Sequence, residues 1–217
     1  MSDVHGNYKK FRLMLERIDF KEEDTLYILG DVIDRGTKGL SILDYIVSKK
    51  NIKLLMGNHE KMMLDSIETG DYFLWYSNGG QVTHSDFLRR DYMFNELLLD
   101  YLRKRPLIEV VDDKFILVHA ELTFPCDYEK LTLEELLKVQ DVEDNIWGRD
   151  LIGLNVKYKD YLIISGHTPV QSITNDISTK EIVRSGNNIY IDCGCGHGRG
   201  IGNLGCLRLD DMEEFYV

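Results

Sequence analysis

Five short stretches carry side chains able to hold a metal ion or move a proton, and each sits beside a glycine or at the close of an apolar run. They are Asp3-Val4-His5-Gly6, Gly30-Asp31-Val32-Ile33-Asp34-Arg35-Gly36, Gly57-Asn58-His59-Glu60, His119 after Phe115-Ile116-Leu117-Val118, and Gly166-His167 after Leu162-Ile163-Ile164-Ser165. A lone Gly-His or a lone histidine ending a strand is ordinarily structural. Five polar positions obeying the same rule are hard to assign to packing. Carboxylate and amide oxygens mixed with imidazole suit borderline divalent ions, and the set contains no thiolate. Six such donors exceed what one ion can use while keeping places open for water and substrate. A pair of ions about 3.5–4 Å apart, bridged by a carboxylate, is the arrangement that such a set supports.

The elements that must position these residues can be read from the same stretches. Residues 25–29 and 52–56 read as strands, and 38–49 as a helix with Leu40, Leu43, Ile46 and Val47 on one face. A second helix is expected from about Glu60, and residues 70–104 read as mostly helical. Residues 107–111 and 114–118 flank Asp112-Asp113 as a hairpin. The last part is strand-rich, at 161–165, 188–192 and 205–209. Strands alternating with helices imply a layered α/β fold, and in such sheets sites form beyond the strand ends, along one edge. No repeat, low-complexity tract or linker interrupts the 217 residues, so a single domain over 1–217 is expected.

Bulk properties exclude several classes. The formal net charge is −11 and no Lys/Arg stripe stands out, which argues against nucleic acid as a partner. No apolar run approaches the roughly 20 residues that span a bilayer, and the start has no leader-like apolar segment, so a cytoplasmic location and no membrane association are expected. Cys193 and Cys195 are too close for an ordinary zinc pair, and with Cys126 and Cys206 they read as reduced thiols.

Taken together, Asp3-x-His5, Gly30-Asp31-x-x-Asp34-Arg35-Gly36, Gly57-Asn58-His59-Glu60, His119 and Gly166-His167 resemble the signature of the phosphoprotein phosphatases, within the calcineurin-like metallophosphoesterases. The resemblance implies a four-layer α/β/β/α sandwich with a mixed central sheet pair and a dinuclear metal site at the strand ends. It implies Asp3, His5 and Asp31 around one ion, with Asp31 bridging to a second ion completed by Asn58, His119 and His167. His59 would be the general acid, oriented by Asp34. Arg35 would grip phosphate, joined by Arg149 of Trp147-Gly148-Arg149. Two divalent ions are implied, Mn²⁺ first, with Zn²⁺ or Fe²⁺ as alternatives. With the Asp3 and Asp31 carboxylates they leave a net positive site that attracts a phosphate dianion inside an acidic protein. Water activated between the ions would attack phosphorus in line.

The implied substrate is a phosphorylated protein or peptide at serine or threonine, with small phosphoesters also in reach. A dinucleoside polyphosphate hydrolase of the diadenosine tetraphosphate type is the nearest alternative, and Asp34 favours the protein phosphatase. A non-catalytic binding module on the same fold is a third reading, which the filled ligand positions disfavour. His197 and Arg199, on the glycine-rich run after Cys195, are candidates for a substrate loop, and His84 reads as ordinary. Only Met1 and Ser2 precede Asp3, too few for a strand: either the numbering begins late or the strand is truncated, and if the strand is truly absent the first metal position is expected to be frayed.

Overall fold

The protein is described by a computed structural model over residues 1–154, 156–197 and 201–217. In chain order the first half comprises α1 (Tyr8–Arg17), β1 (Leu26–Ile28), α2 (Gly39–Val47), β2 (Ile52–Leu54), α3 (Asn58–Thr69), α4 (Phe73–Ser77), α5 (Gln81–Phe87) and α6 (Tyr92–Arg103). The second half comprises β3 (Ile108–Val111), β4 (Phe115–Val118), α7 (Leu133–Lys138), α8 (Val142–Trp147), β5 (Leu162–Ser165), α9 (Val170–Thr174), β6 (Val183–Ser185), β7 (Asn188–Tyr190), β8 (Gly205–Leu207) and β9 (Glu214–Tyr216). Among the described residues no helix is long and apolar enough to cross a membrane.

Strands β1 and β2 pair in parallel, as a strand–helix–strand unit requires. The larger sheet runs β3-β4-β5-β7-β6, parallel at its centre and antiparallel at both edges. Strands β8 and β9 form an antiparallel ribbon. Side-chain alternation along these strands divides the core into three apolar layers. One packs Ile28, Leu54 and Cys206 under Phe11, Met14, Leu43, Ile46 and Leu99 of the first six helices. The second lies between sheets, with Leu29, Leu55 and Leu207 against Phe115, Leu117, Ile164 and Ile189. The third sets Ile116, Val118 and Ile163 against Leu122, Leu136 and Tyr158. Three apolar seams separate four layers, helix, sheet, sheet and helix, which is the calcineurin-like metallophosphoesterase sandwich expected from the sequence.

The expected elements recur with trimmed ends. On α2 the buried face is Leu40, Ile42, Leu43 and Ile46, whereas Val47, the last helical residue, is exposed and Ile42 takes a place on the buried face that the sequence reading did not give it. A cavity of about 660 Å³ opens beside Met1, with Leu26, Leu29, Ile164 and Leu207 in its wall; none of the six expected metal ligands lines it.

Candidate metal centre

Asp3 is not frayed. Met1 lies alongside β1, where its nitrogen donates to the Tyr27 carbonyl at 3.0 Å and the Leu29 amide donates to the Met1 carbonyl at 3.0 Å. The Asp3, His5 and Gly6 amides then donate to the carbonyls of Gly30, Asp31 and Val32. Backbone pairing therefore holds this segment in register without a regular strand, and Met1 to Gly6 are all buried. Asp31 follows β1, Asn58 and His59 open α3, His119 follows β4 and His167 follows β5. The parallel order β4-β5 and β1-β2 puts these ends on one edge.

Asp31 stands at the centre. Its Oδ2 lies 3.7 Å from His5 Nε2 and 3.8 Å from His59 Nε2, and its Oδ1 lies 3.4 Å from His119 Nε2. Two groups of buried donors result, His5, Asp31 and His59 on one side and Asp31, His119 and His167 on the other, each tight enough to surround an ion. Asn58 Oδ1 joins the second group, 2.9 Å from His119 Nε2 and 3.2 Å from His167 Nδ1. Asp3 borders the first, with its Oδ1 3.9 Å from His5 Nε2. That Oδ1 is buried with no hydrogen-bond partner, as is His167 Nε2. Buried lone pairs left without donors fit cations, so the residues present suit two divalent ions sharing Asp31.

The electrostatics agree with ligation. Burial drives His5 well below the ordinary imidazole range, and burial, then His119, takes His167 down to about 3, so both rings are neutral. Burial raises the Asp31 carboxyl, but His119, His59 and His5 outweigh it and hold Asp31 ionised. Burial, then the Asp31 charge, pushes Asp3 up to about 6.

His59 belongs to the first donor group by distance, yet its ring is engaged elsewhere. Its Nδ1 lies 2.6 Å from Asp34 Oδ2, which turns Nε2 toward Arg35 NH2 at 3.2 Å. Burial lowers the His59 pKa, but Asp31 and Asp34 more than offset it and hold the ring above its ordinary range. With Nδ1 on Asp34 and its pKa held up, the His59 ring is able to hold and give up a proton. Arg35 NH1 also reaches His5 Nε2, at 3.1 Å. Arg149 is exposed, its charge depresses His167, and it has no ion-pair partner among the described residues. The backbone at Gly196, in the turn Cys195–His197, lies against His5 and Arg35, and partial burial, then Arg35, lowers His197. Arg199 lies outside the described residues. His84 takes no part: it stacks on Tyr72 at 4.5 Å and pairs through Nδ1 with the Tyr76 hydroxyl.

Three supporting residues escape a motif-level reading. Glu60, buried, accepts from the amides of Asp31 at 2.8 Å, Val32 at 2.9 Å and Gly57 at 3.2 Å, tying the two ligand loops together. Asp192 is buried, accepts from the Gly194 amide at 2.9 Å, and is held well above the carboxylate range by burial and then by Asp3. It closes the apolar run Ile189-Tyr190-Ile191, two residues before Gly194, as other site residues close theirs. Trp75 donates from Nε1 to Asp34 Oδ2 at 2.7 Å, and nothing in its local sequence announces this.

Two features show how tightly the backbone is drawn in. A Cβ at Gly57 would run into Asp31 Oδ1, and one at Gly166 into the side chains of Ser2 and Asp3. Six side chains of the site also sit at positive φ: Asp3 at 53°, His5 at 45°, Asp31 at 56°, Asp34 at 67°, Arg35 at 62° and His167 at 63°. That region is unfavourable for residues bearing a Cβ, and such strain gathers where function fixes the backbone.

A family model described as calcineurin-like phosphoesterase matches residues 1–197. The chain is 30% identical over 203 residues to serine/threonine-protein phosphatase 2 of Salmonella typhimurium, covering 89% of this chain and 85% of that protein. It is 34% identical over 154 residues to the symmetrical bis(5'-nucleosyl)-tetraphosphatase of Hamiltonella defensa, covering 70% of this chain and 52% of that protein, so it spans about half the length of that relative. Among solved structures, a candidate diadenosine tetraphosphatase superposes with a TM-score of 0.67 at 16% identity, over 100% of this chain and 90% of that one, a likeness of fold.

Proposed function

The chain belongs to the calcineurin-like phosphoesterase family, and from that premise we propose that it hydrolyses phosphomonoesters with two divalent ions, acting as a serine/threonine protein phosphatase. The observation carrying the dinuclear reading is the placement of Asp31, whose two oxygens face opposite donor groups. Asp3, His5 and Asp31 would hold one ion, and Asp31, Asn58, His119 and His167 the other, with Mn²⁺ favoured over Zn²⁺ or Fe²⁺. When bound, the ions supply Lewis-acid polarisation of the phosphoryl oxygens and an activated water.

The chain's own side chains do the remaining work. Arg35 and Arg149 bind phosphate oxygens from two sides, and His197 borders the space that a substrate enters. His59 Nε2 gives its proton to the leaving oxygen as the P–O bond breaks, while Asp34 on Nδ1 fixes the ring and stabilises its charge. Relative length favours the protein phosphatase, because the similarity to phosphatase 2 runs through 85% of that protein. The second reading, a dinucleoside tetraphosphate hydrolase, draws on the 34% identity over a shorter stretch.

Purified protein supplied with Mn²⁺ should release phosphate from a phosphothreonine peptide faster than it cleaves diadenosine tetraphosphate. A strong preference for the dinucleotide would replace the first reading with the second. No metal-stimulated turnover of p-nitrophenyl phosphate would remove both and favour a binding module.

A further inference from the structure

The buried oxygen of Asp34 that orients His59 is shared. Asp34 Oδ2 lies 2.6 Å from His59 Nδ1 and 2.7 Å from Trp75 Nε1, and Trp75 is fully buried. Neither contact is local in sequence, since His59 opens α3 and Trp75 lies on α4. Two further contacts grip the same loop, one from α5 and one from the turn before it. The Asp34 amide donates to buried Thr83 Oγ1 at 3.0 Å, and the Arg35 amide donates to the Gly79 carbonyl at 3.2 Å. Gly80 lies so close to the Trp75 indole that a Cβ there would strike it. Tyr72, Tyr76 and His84 pack round the indole. Trp75, Gly79, Gly80 and Thr83 thus form one clamp on a residue at positive φ.

We infer that Trp75 is a positioning residue for proton delivery: its indole N–H locks the Asp34 carboxylate, and Asp34 in turn aims His59 at the leaving oxygen. The inference rests on the phosphomonoesterase reading. In the step concerned, water that has lost one proton to solvent forms the new P–O bond. The old P–O bond breaks with its electron pair going to the leaving oxygen. That oxygen takes the His59 proton, and the ring regains one from solvent. A poor leaving group such as phenolate or a threonine alkoxide needs this proton, whereas p-nitrophenolate departs with little help. Loss of positioning must therefore grow with the basicity of the leaving group.

The test compares Mn²⁺-loaded wild type with Trp75→Phe, which keeps an apolar ring and removes the donor. Expected is a fall in kcat of roughly tenfold or more on phenyl phosphate and on a phosphothreonine peptide, and about threefold or less on p-nitrophenyl phosphate, with KM and bound metal unchanged. In a double-mutant cycle, adding Trp75→Phe to His59→Asn should cost nothing further on phenyl phosphate. Thr83→Val, which removes the Asp34 amide's acceptor, should show the same leaving-group signature if Trp75→Phe does not fold. An equal loss on all substrates, no loss on any, or full additivity with His59→Asn would overturn the inference. An inactive wild type would instead overturn the reading beneath it.

Discussion

His59 and Asp34 show how a single buried carboxylate separates two roles that one residue type could fill. His5, His59 and His119 all close on Asp31, and among them His59 alone carries a carboxylate, Asp34, on its Nδ1, a pairing that the proposed reading assigns to proton transfer. His59→Asn should therefore leave metal content unchanged while lowering kcat on phenyl phosphate by about 10²–10⁴-fold, checked by steady-state kinetics beside elemental analysis. Asp3 makes a second residue-level prediction. Its carboxyl is pushed up to about 6 by burial and Asp31, and a cation needs it ionised. Below that pH, binding must first expel the proton, so Mn²⁺ affinity should fall about tenfold per pH unit on going below 6 and level off above it. His5 and His167 are already neutral there and add no such dependence. Calorimetry in buffers of different ionisation enthalpy should find close to one proton released at pH 5; affinity flat between pH 7 and 5 would contradict this.

At the scale of elements, the site is made by strand ends and the glycines beside them. This much was legible in the sequence, because Gly30-Asp31, Gly57-Asn58, Val118-His119 and Gly166-His167 all mark the point where an apolar strand stops. Asp192 follows the same rule and could have been found by it. Trp75 could not, since Asp34 lies 41 residues away, and although Glu60 stands in the Gly57–Glu60 motif, its bonds to Asp31 and Val32 span 28 or 29 residues and only the fold makes them. Short edge strands were equally hidden. β6 and β9 bury neither face fully, so no alternating pattern distinguishes them from loop. The close approach at Gly166 carries its own consequence. Gly166→Ala drives a methyl into Ser2 and Asp3, which displaces the His167 amide from Asp3 Oδ2, now 3.0 Å away. Metal binding should weaken at least tenfold with the helices intact, as read by Mn²⁺ titration beside circular dichroism.

For the whole molecule, alternating strands and helices implied the layered class and the family resemblance implied the pair of sheets, while the side chains that fill the seam between them needed the structure. The donors straddle that seam. Asp3, His5, Asp31 and Asn58 come from the β1–β2 side, and His119 and His167 from the β4–β5 side. The second ion, held by Asp31 and Asn58 together with His119 and His167, would join layers otherwise held by apolar contact between Leu29, Leu55, Leu117 and Ile164. Each ion at about 100 times its Kd adds roughly 2.7 kcal/mol to stability. Two such ions should raise Tm by about 10–20 °C in a chain of this size. Differential scanning calorimetry with and without a chelator checks this, and a Tm indifferent to chelation would argue against ligands supplied from both sheets.

The positive φ angles at His5, Arg35 and His167 tell on the protein's evolvability. Each opposes the folded state by about 1–2 kcal/mol, and glycine alone is free of that opposition. A laboratory selection that rewards only survival of heat, run under a chelator so that no ion offsets the strain, should accumulate glycine at these three places. Its winners would be hardier and inert, since the same exchange deletes an imidazole or the guanidinium; durability and turnover pull this chain in opposite directions.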